Sequence, residues 1–343
     1  SDRHMDIMDY RPFFVGRTPG GSDYPVAVEE TLPPLPPSTG CTVGVIDTGL
    51  VLDDARRPHP WLAEHVSYGE HDDDPLGLGR GDADERGYLA DADGHGTFVT
   101  GLILRGAQAA HVRMCGVLDK TDTSVDSGAG DRGLNTDDDT RVAEAVRSLG
   151  HNRAVQVINL SFGGGVFTDR AVPKKLADAL RKLDPGIAVV AAAGNDASET
   201  AVWPAAFALD NDDKHAPVIS VGALDGRRLV PPDATPPRAP FSNHGSWVTA
   251  YADGVQVLGP FVHFEETGND LFGLRPAQRF RGWARWSGTS FAAAAVSGRI
   301  ARVAMERGLS GAAAARAVLA ESRRISSDGA VWVRTATDGS SLS

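Results

Sequence analysis

The sequence predicts an α/β domain built on a doubly wound parallel sheet flanked by helices, and three observations predict it. Short, β-branched apolar runs of similar length recur along the chain, each ending in a turn signal such as Asp-Thr-Gly or Gly-Asn. Stretches with helical periodicity separate them. With 343 residues, 41% of them hydrophobic, the chain can bury one large core. Continuous apolar strands belong to a sheet covered on both faces, and their alternation with helices makes that sheet parallel. No internal repeat is apparent.

Residues 1–39 form an irregular arm ending in Leu32-Pro33-Pro34-Leu35-Pro36-Pro37, a stiff extended segment expected to lie along the domain surface. Ser1 to His4 read as a cloning remnant ahead of a natural start at Met5. The domain is expected over 40–325. Its first strand, Cys41-Thr42-Val43-Gly44-Val45-Ile46-Asp47, runs into Thr48-Gly49. Open α/β sheets place functional groups at the carboxyl ends of strands, where Asp47 stands. A turn-forming Asp fits these residues equally well.

From Asp53 to Asp93 the chain is polar and acidic, with Asp72-Asp73-Asp74, Asp82, Asp84 and Glu85. The spacing matches no EF-hand pattern, so a solvated loop is expected. A structural calcium ion and a surface for basic substrates are the other readings. His95 follows, flanked by Gly94 and Gly96, at the mouth of an apolar helical run. The glycines clear space around the ring, which core packing does not require. A structural histidine is the alternative.

A second strand covers 111–118. An amphipathic helix covers 137–149, with Val142, Val146 and Leu149 on one face and Gly150 as its stop. The third strand, 155–160, runs into Ser161-Phe162-Gly163-Gly164-Gly165, and a helix covers about 169–183. The strand from Ile187 to Ala193 ends in Gly194-Asn195, where Asn195 either turns the chain or presents an amide to an oxyanion. Another strand spans 217–223. Residues 226–240 are a Pro-rich loop, and 259–285 are an insertion rich in aromatics and Arg. Helices over 290–307 and 311–322 precede a polar tail, 326–343.

The last functional stretch is Trp286-Ser287-Gly288-Thr289-Ser290, followed by Phe291 and a run of Ala. A serine at the start of an Ala-rich helix caps it. Beside free backbone N–H groups and the positive end of the helix dipole, it also suits a nucleophile with half of an oxyanion site.

Composition excludes several classes. A net charge of −11 with no dense Lys/Arg block argues against a nucleic-acid or anionic-membrane surface. No apolar run has transmembrane length, and no secretory leader follows Met5, so a cytoplasmic protein is expected if Met5 is the natural start, with a secreted protein as the alternative. Cys41 and Cys115 lie in strand-like contexts and are expected as buried free thiols, with a disulfide as the alternative, and neither sits in a metal-ligand spacing. The first strand lacks a following G-x-G-x-x-G, which sets aside a dinucleotide-binding protein.

Four blocks taken together resemble the subtilisin-like serine proteases, the subtilases, over roughly residues 40–322. They are Ile46-Asp47-Thr48-Gly49, His95-Gly96-Thr97, Ala193-Gly194-Asn195 and Gly288-Thr289-Ser290, in the family's order. Asn159-Leu160-Ser161-Phe162-Gly163, Trp203-Pro204-Ala205, the 218–223 strand and Phe241-Ser242-Asn243-His244-Gly245 agree. The resemblance implies a subtilisin-like fold in a single domain with long surface loops. It implies Ser290 as nucleophile, His95 as general base and acid, Asp47 orienting His95, and Asn195 in the oxyanion hole. It further implies a groove lined by Leu160, Ser161, Phe162, Gly163, Ala192, Ala193 and Gly194, with Val202 near its floor. The chemistry requires no cofactor, and the partner is a protein or peptide substrate.

Two departures stand out. Ala294 occupies the position where the family usually has Pro, which suggests a changed balance between hydrolysis and transfer to an amine. The long interval from Asn195 to Ser290 holds the 259–285 insertion, with Arg275, Arg279, Arg281 and Arg285 nearby, as a rim of the cleft or a regulatory partner surface. A serine endopeptidase is therefore expected. A catalytically silent peptide binder and a peptide ligase or cyclase are the alternatives.

Overall fold

The computed structural model describes residues 11–12, 24–53, 57–68, 89, 93–118, 138–166, 172–227, 234–268, 277–325 and 329–335. The acidic stretch 72–85 and Arg275 lie outside the described residues.

The chain begins with β1 (Arg11–Pro12), β2 (Val26–Ala27), β3 (Thr42–Asp47), β4 (Val66–Tyr68), α1 (His95–Gly106) and β5 (His111–Gly116). It continues with α2 (Asp138–His151), β6 (Val155–Leu160), β7 (Phe162–Val166), α3 (Lys174–Arg181), β8 (Ala188–Ala192), β9 (Val202–Trp203) and β10 (Val218–Leu224). It closes with β11 (Ala250–Asp253), β12 (Val257–Glu265), β13 (Arg279–Trp286), α4 (Thr289–Arg307), α5 (Gly311–Glu321), β14 (Arg323–Arg324) and β15 (Val331–Trp332).

Among the described residues, nine strands form one sheet in the order β14-β15-β11-β10-β8-β6-β3-β5-β4. Neighbours from β15 to β4 are parallel, and β14 joins antiparallel. The expected doubly wound architecture is present. The alternation of side chains along β8 shows why the sheet is covered twice. Ala188, Val190 and Ala192 enter the core shared with α1, α4 and α5, while Val189, Ala191 and Ala193 enter the core shared with α2 and α3. The chain order reverses at β3, with β5 on one side and β6 on the other. Ligand crevices of such sheets open at the carboxyl ends beside such a reversal, and Asp47 and Ser161 lie there.

Several boundaries differ from expectation for identifiable reasons. Helix α2 runs through Gly150 to His151, and a β-carbon at 150 would press on Leu183, so the glycine serves packing rather than termination. Helix α3 starts only after Pro173, which lacks the N–H an earlier turn would need. The tail from 326 is not simply polar surface: Val331 and Trp332 extend the main sheet beside β11. The 259–285 insertion is a long hairpin, β12 against β13, whose inner face is buried and whose outer edge pairs with β2 of the arm. Two of its arginines meet the acids of that arm, Arg281 with Glu29 and Arg285 with Glu30, and Arg279 pairs with Glu265 across the hairpin. Cys41 and Cys115 are free thiols, Cys115 buried and Cys41 half-buried, with burial pushing the Cys41 thiol up to about 11. No described helix is long and apolar enough to cross a membrane.

Candidate active site

Asp47 is the last residue of β3, and its Oδ1 accepts the Thr48 N–H at 2.7 Å. The same oxygen accepts from His95 Nδ1 at 2.8 Å. A carboxylate only accepts, so the hydrogen sits on Nδ1 and the lone pair of the neutral ring on Nε2. His95 Nε2 is buried and has no hydrogen-bond partner among the described residues.

His95 opens α1 after Gly94, whose φ of 76° is left-handed. The glycines on either side answer to packing after all. A β-carbon on Gly94 would lie 2.5 Å from the Phe261 ring, and one on Gly96 would collide with the Gly49 carbonyl. Thr48 ties the same junction, its Oγ1 accepting the Gly96 N–H at 3.1 Å. The His95 ring is enclosed by Trp286, edge-on at 5.8 Å, and by Phe291 at 5.5 Å.

Ser290 is the second residue of α4, one place inside the helix, so it does not cap it. Gly288 holds the cap position and makes no side-chain bond there. The Ser290 hydroxyl instead donates to the Ser161 carbonyl at 2.9 Å, while Ser161 Oγ donates to the Ser290 carbonyl at 2.8 Å. Ala294 is fully buried in an unbroken helix.

Asn195 supplies the missing cap from outside. Its Oδ1 accepts the Thr289 N–H at 3.0 Å and the Thr289 hydroxyl at 2.9 Å. Thr289 Oγ1 in turn accepts the Gly194 N–H at 3.0 Å. With Oδ1 occupied twice, the amide orientation is set, and Asn195 Nδ2 is left buried with no partner among the described residues. Asn243 shapes the loop beneath it, donating to the Ala193 carbonyl and accepting from the Asp196 and Ser198 N–H groups. Neither the Thr289 nor the Asn243 role is readable from sequence beyond their presence in the Gly-Thr-Ser and Ser-Asn-His motifs.

The expected groove residues separate into backbone and core. Leu160, Phe162, Ala193 and Val202 bury their side chains on the α2 and α3 side of the sheet, and Ala192 on the opposite side. Gly194 contributes a left-handed turn, with φ of 101°. Val202 sits in β9, paired to β7. The other edge of β7 is paired antiparallel with β1, Arg11 opposite Gly163 and Pro12 opposite Phe162. Asp47, His95 and Ser290 expose no surface. The structure thus brings together Asp47, His95, Asn195, Ser290 and Ser161.

The chain matches the model of the subtilase family over residues 38–335. It is 27% identical over 249 residues to subtilisin-like protease 2 of Pseudogymnoascus destructans, covering 70% of this chain and 49% of that protein. It is 30% identical over 274 residues to the thermophilic serine proteinase of a Bacillus species, covering 78% and 53% respectively. The chain therefore spans about half the length of the curated relatives it matches. Its fold is similar to that of a lanthipeptide protease, with TM-score 0.58, 21% identity and coverage of 87% of this chain and 86% of that one. It is also similar to a chain in the subtilase cytotoxin SubAB assembly, with TM-score 0.58, 20% identity and 88% of each chain covered. Asp47, His95, Asn195 and Ser290 all fall inside the matched span, and the chain belongs to the subtilase family of serine proteases.

Proposed function

We propose that this chain is a serine endopeptidase that cleaves extended peptide segments through an acyl-enzyme on Ser290. The observation that carries the reading is the pair of buried groups without partners among the described residues, His95 Nε2 at the start of α1 and Asn195 Nδ2 beside the start of α4. Burying polar groups without partners costs about 1–3 kcal/mol each, so a fold keeps them for a purpose such as binding or catalysis.

His95 Nε2 takes the Ser290 proton as Oγ attacks the peptide carbonyl, and Asp47 stabilises the resulting imidazolium without taking the proton. Asn195 Nδ2 and the Ser290 backbone N–H receive the developing oxyanion. Collapse of the tetrahedral adduct breaks the C–N bond, with the His95 proton going to the amine. Water then repeats the sequence on the acyl-enzyme. The substrate chain adds as a strand to the edge of β7, as the pairing with β1 supports. None of these steps draws on a metal or organic cofactor.

Labelling by a fluorophosphonate tests the reading. The expected result is one modified residue, Ser290, with labelling abolished in Ser290→Ala and in His95→Ala. An unlabelled wild-type chain that still binds peptides would instead support a silent binding protein.

A further inference from the structure

We infer that Asn159, Ser161 and Ser297 are positioning residues that set Ser290, and that the Ser161 carbonyl holds the Ser290 hydroxyl off His95 in the resting protein. The inference rests on Ser290 being the nucleophile proposed above.

A continuous hydrogen-bonded chain runs from the middle of α4 back to its start. Ser297 Oγ donates to Asn159 Oδ1 at 2.9 Å, and Asn159 Nδ2 donates to Ser161 Oγ at 2.8 Å. Ser161 Oγ donates to the Ser290 carbonyl at 2.8 Å, and Ser290 Oγ returns a bond to the Ser161 carbonyl at 2.9 Å. All four residues are completely buried. Their surroundings are apolar: α4 is mostly Ala, Val and Ile here, and it packs across β6, β8 and β10. Ala or Val would fill such an interface at no desolvation cost. A fully satisfied polar chain there specifies one arrangement among several that apolar packing would accept.

The arrangement it specifies is the rotation of α4. Ser290 and Ser297 lie two helical turns apart on one face, so the β6–β7 junction grips the helix at two points. A side-chain oxygen stands about 4–5 Å from a helix axis, so a rotation of roughly 15° moves it by about 1 Å. An error of that size in a reacting atom can cost about 10²-fold in rate. The grip matters more here because residue 294 is Ala, and no proline ring constrains the helix one turn beyond Ser290.

The last bond in the chain sets the resting state of the nucleophile. The Ser290 hydroxyl donates to the Ser161 carbonyl, and His95 Nε2 has no partner among the described residues. Attack therefore requires the hydroxyl to give up that bond and turn its hydrogen to Nε2. The O–H bond then breaks, the N–H bond forms, and the electron pair stays on Oγ.

Single variants Ser161→Ala, Asn159→Ala and Ser297→Ala are compared with wild type in fluorophosphonate labelling rate, in kcat and KM on one peptide, and in thermal midpoint. The expected result is a fall of about 10–100-fold in labelling rate and kcat for Ser161→Ala, and about 3–10-fold for Ser297→Ala, with KM within about twofold. Ser297→Thr, which restores the hydroxyl, returns kcat to within about twofold. Adding Ser297→Ala to Ser161→Ala costs little more, because the chain is already broken. Lowered thermal midpoints with wild-type labelling rates would overturn the positioning role. Absent labelling of the wild type would instead overturn the reading of Ser290 itself. Should the alanine variants fail to fold, the His95 ring nitrogens are compared by NMR in wild type and Ser290→Ala. An unchanged Nε2 chemical shift is expected, since the hydroxyl does not touch the base. A clear change would overturn the resting arrangement, because it would mean that Ser290 bonds His95 at rest.

Discussion

Thr289 shows how much of this site depends on a residue that never meets the substrate in the proposed mechanism. Its hydroxyl is donor to Asn195 Oδ1 and acceptor from the Gly194 N–H, so one oxygen fixes both sides of the proposed oxyanion site. Asn195→Ala removes the donor itself. The expected loss in kcat is about 10²–10³-fold, the size known for an oxyanion asparagine in subtilisin, with KM little changed. Thr289→Val keeps the shape, strands the Gly194 N–H, and leaves Asn195 Oδ1 with the single bond from the Thr289 backbone. About a tenfold loss in kcat follows, measured on the same peptide, because the amide can swing out of line. An equal kcat for Thr289→Val and wild type would show that the helix N–H alone orients Asn195. At this scale the sequence carried residue identity but not partnership. Asp47, His95, Asn195 and Ser290 were legible because four short motifs frame them. Asn159, Ser161, Thr289 and Ser297 were not assigned these bonds, because most of their partners are distant in the chain. His95 also shows an inference that failed in its reason: its glycines make room for Phe261 and the Gly49 carbonyl, so packing does require them.

The distance between His95 and Ser290 is a property of two helices, since each residue lies in the first turn of its own. Helices α1 and α4 cross closely at Gly106 and Gly298, where a β-carbon on Gly298 would stand 2.5 Å from the Ile103 carbonyl oxygen. That atom is backbone and cannot turn aside. Gly298→Ala is therefore expected to lower stability by about 1–3 kcal/mol in urea unfolding and to reduce kcat by separating the helices. The β12–β13 hairpin was harder to foresee. Its first half is buried on both faces, so no polar alternation marks it as a strand, and Gly259, Pro260 and Gly282 read as loop residues. Along its length His59 lies edge-on to Trp283 at 5.2 Å and stacks on His263 at 6.2 Å, with Glu64, His65 and Arg281 around the same hollow. Burial, reinforced by the His263 charge and partly opposed by a hydrogen bond with the Gly282 backbone, pushes His59 down to about 4. The unfolded chain, with His near 6.5, binds this proton first. The stability that the neutral ring contributes is present above about pH 6.5 and is lost as pH falls toward 4. The expected loss between pH 7 and 4.5 is about 1–3 kcal/mol by urea unfolding, and His59→Gln should shrink that difference. An unchanged pH dependence in His59→Gln would place the acid sensitivity elsewhere.

At the scale of the whole molecule, the arm is the part whose role changes most between sequence and structure. Its proline run was expected to lie on the surface, and Trp61 Nε1 does donate to the Pro33 carbonyl at 2.8 Å. Its strands do more, because β2 completes the hairpin sheet and β1 occupies the edge of β7. Antiparallel addition to that edge is the mode proposed above for substrate, so β1 and a substrate strand compete for the same backbone groups. A tethered competitor acts at an effective concentration of about millimolar, so even a weak strand excludes a dilute peptide. The complete burial of Asp47, His95 and Ser290 agrees with a closed site. Deleting residues 1–22 removes β1 but keeps β2, Glu29, Glu30 and the proline run, so the hairpin stays supported. The expected result is a rise of about tenfold in kcat/KM on an extended peptide, carried mainly by KM, with the thermal midpoint little changed. A synthetic peptide spanning residues 6–16, added to the shortened chain, should inhibit it competitively, and the same peptide should have far less effect on the full chain, where the edge is already filled. An unchanged kcat/KM after deletion, together with no inhibition in trans, would show that β1 lies on β7 without closing the groove.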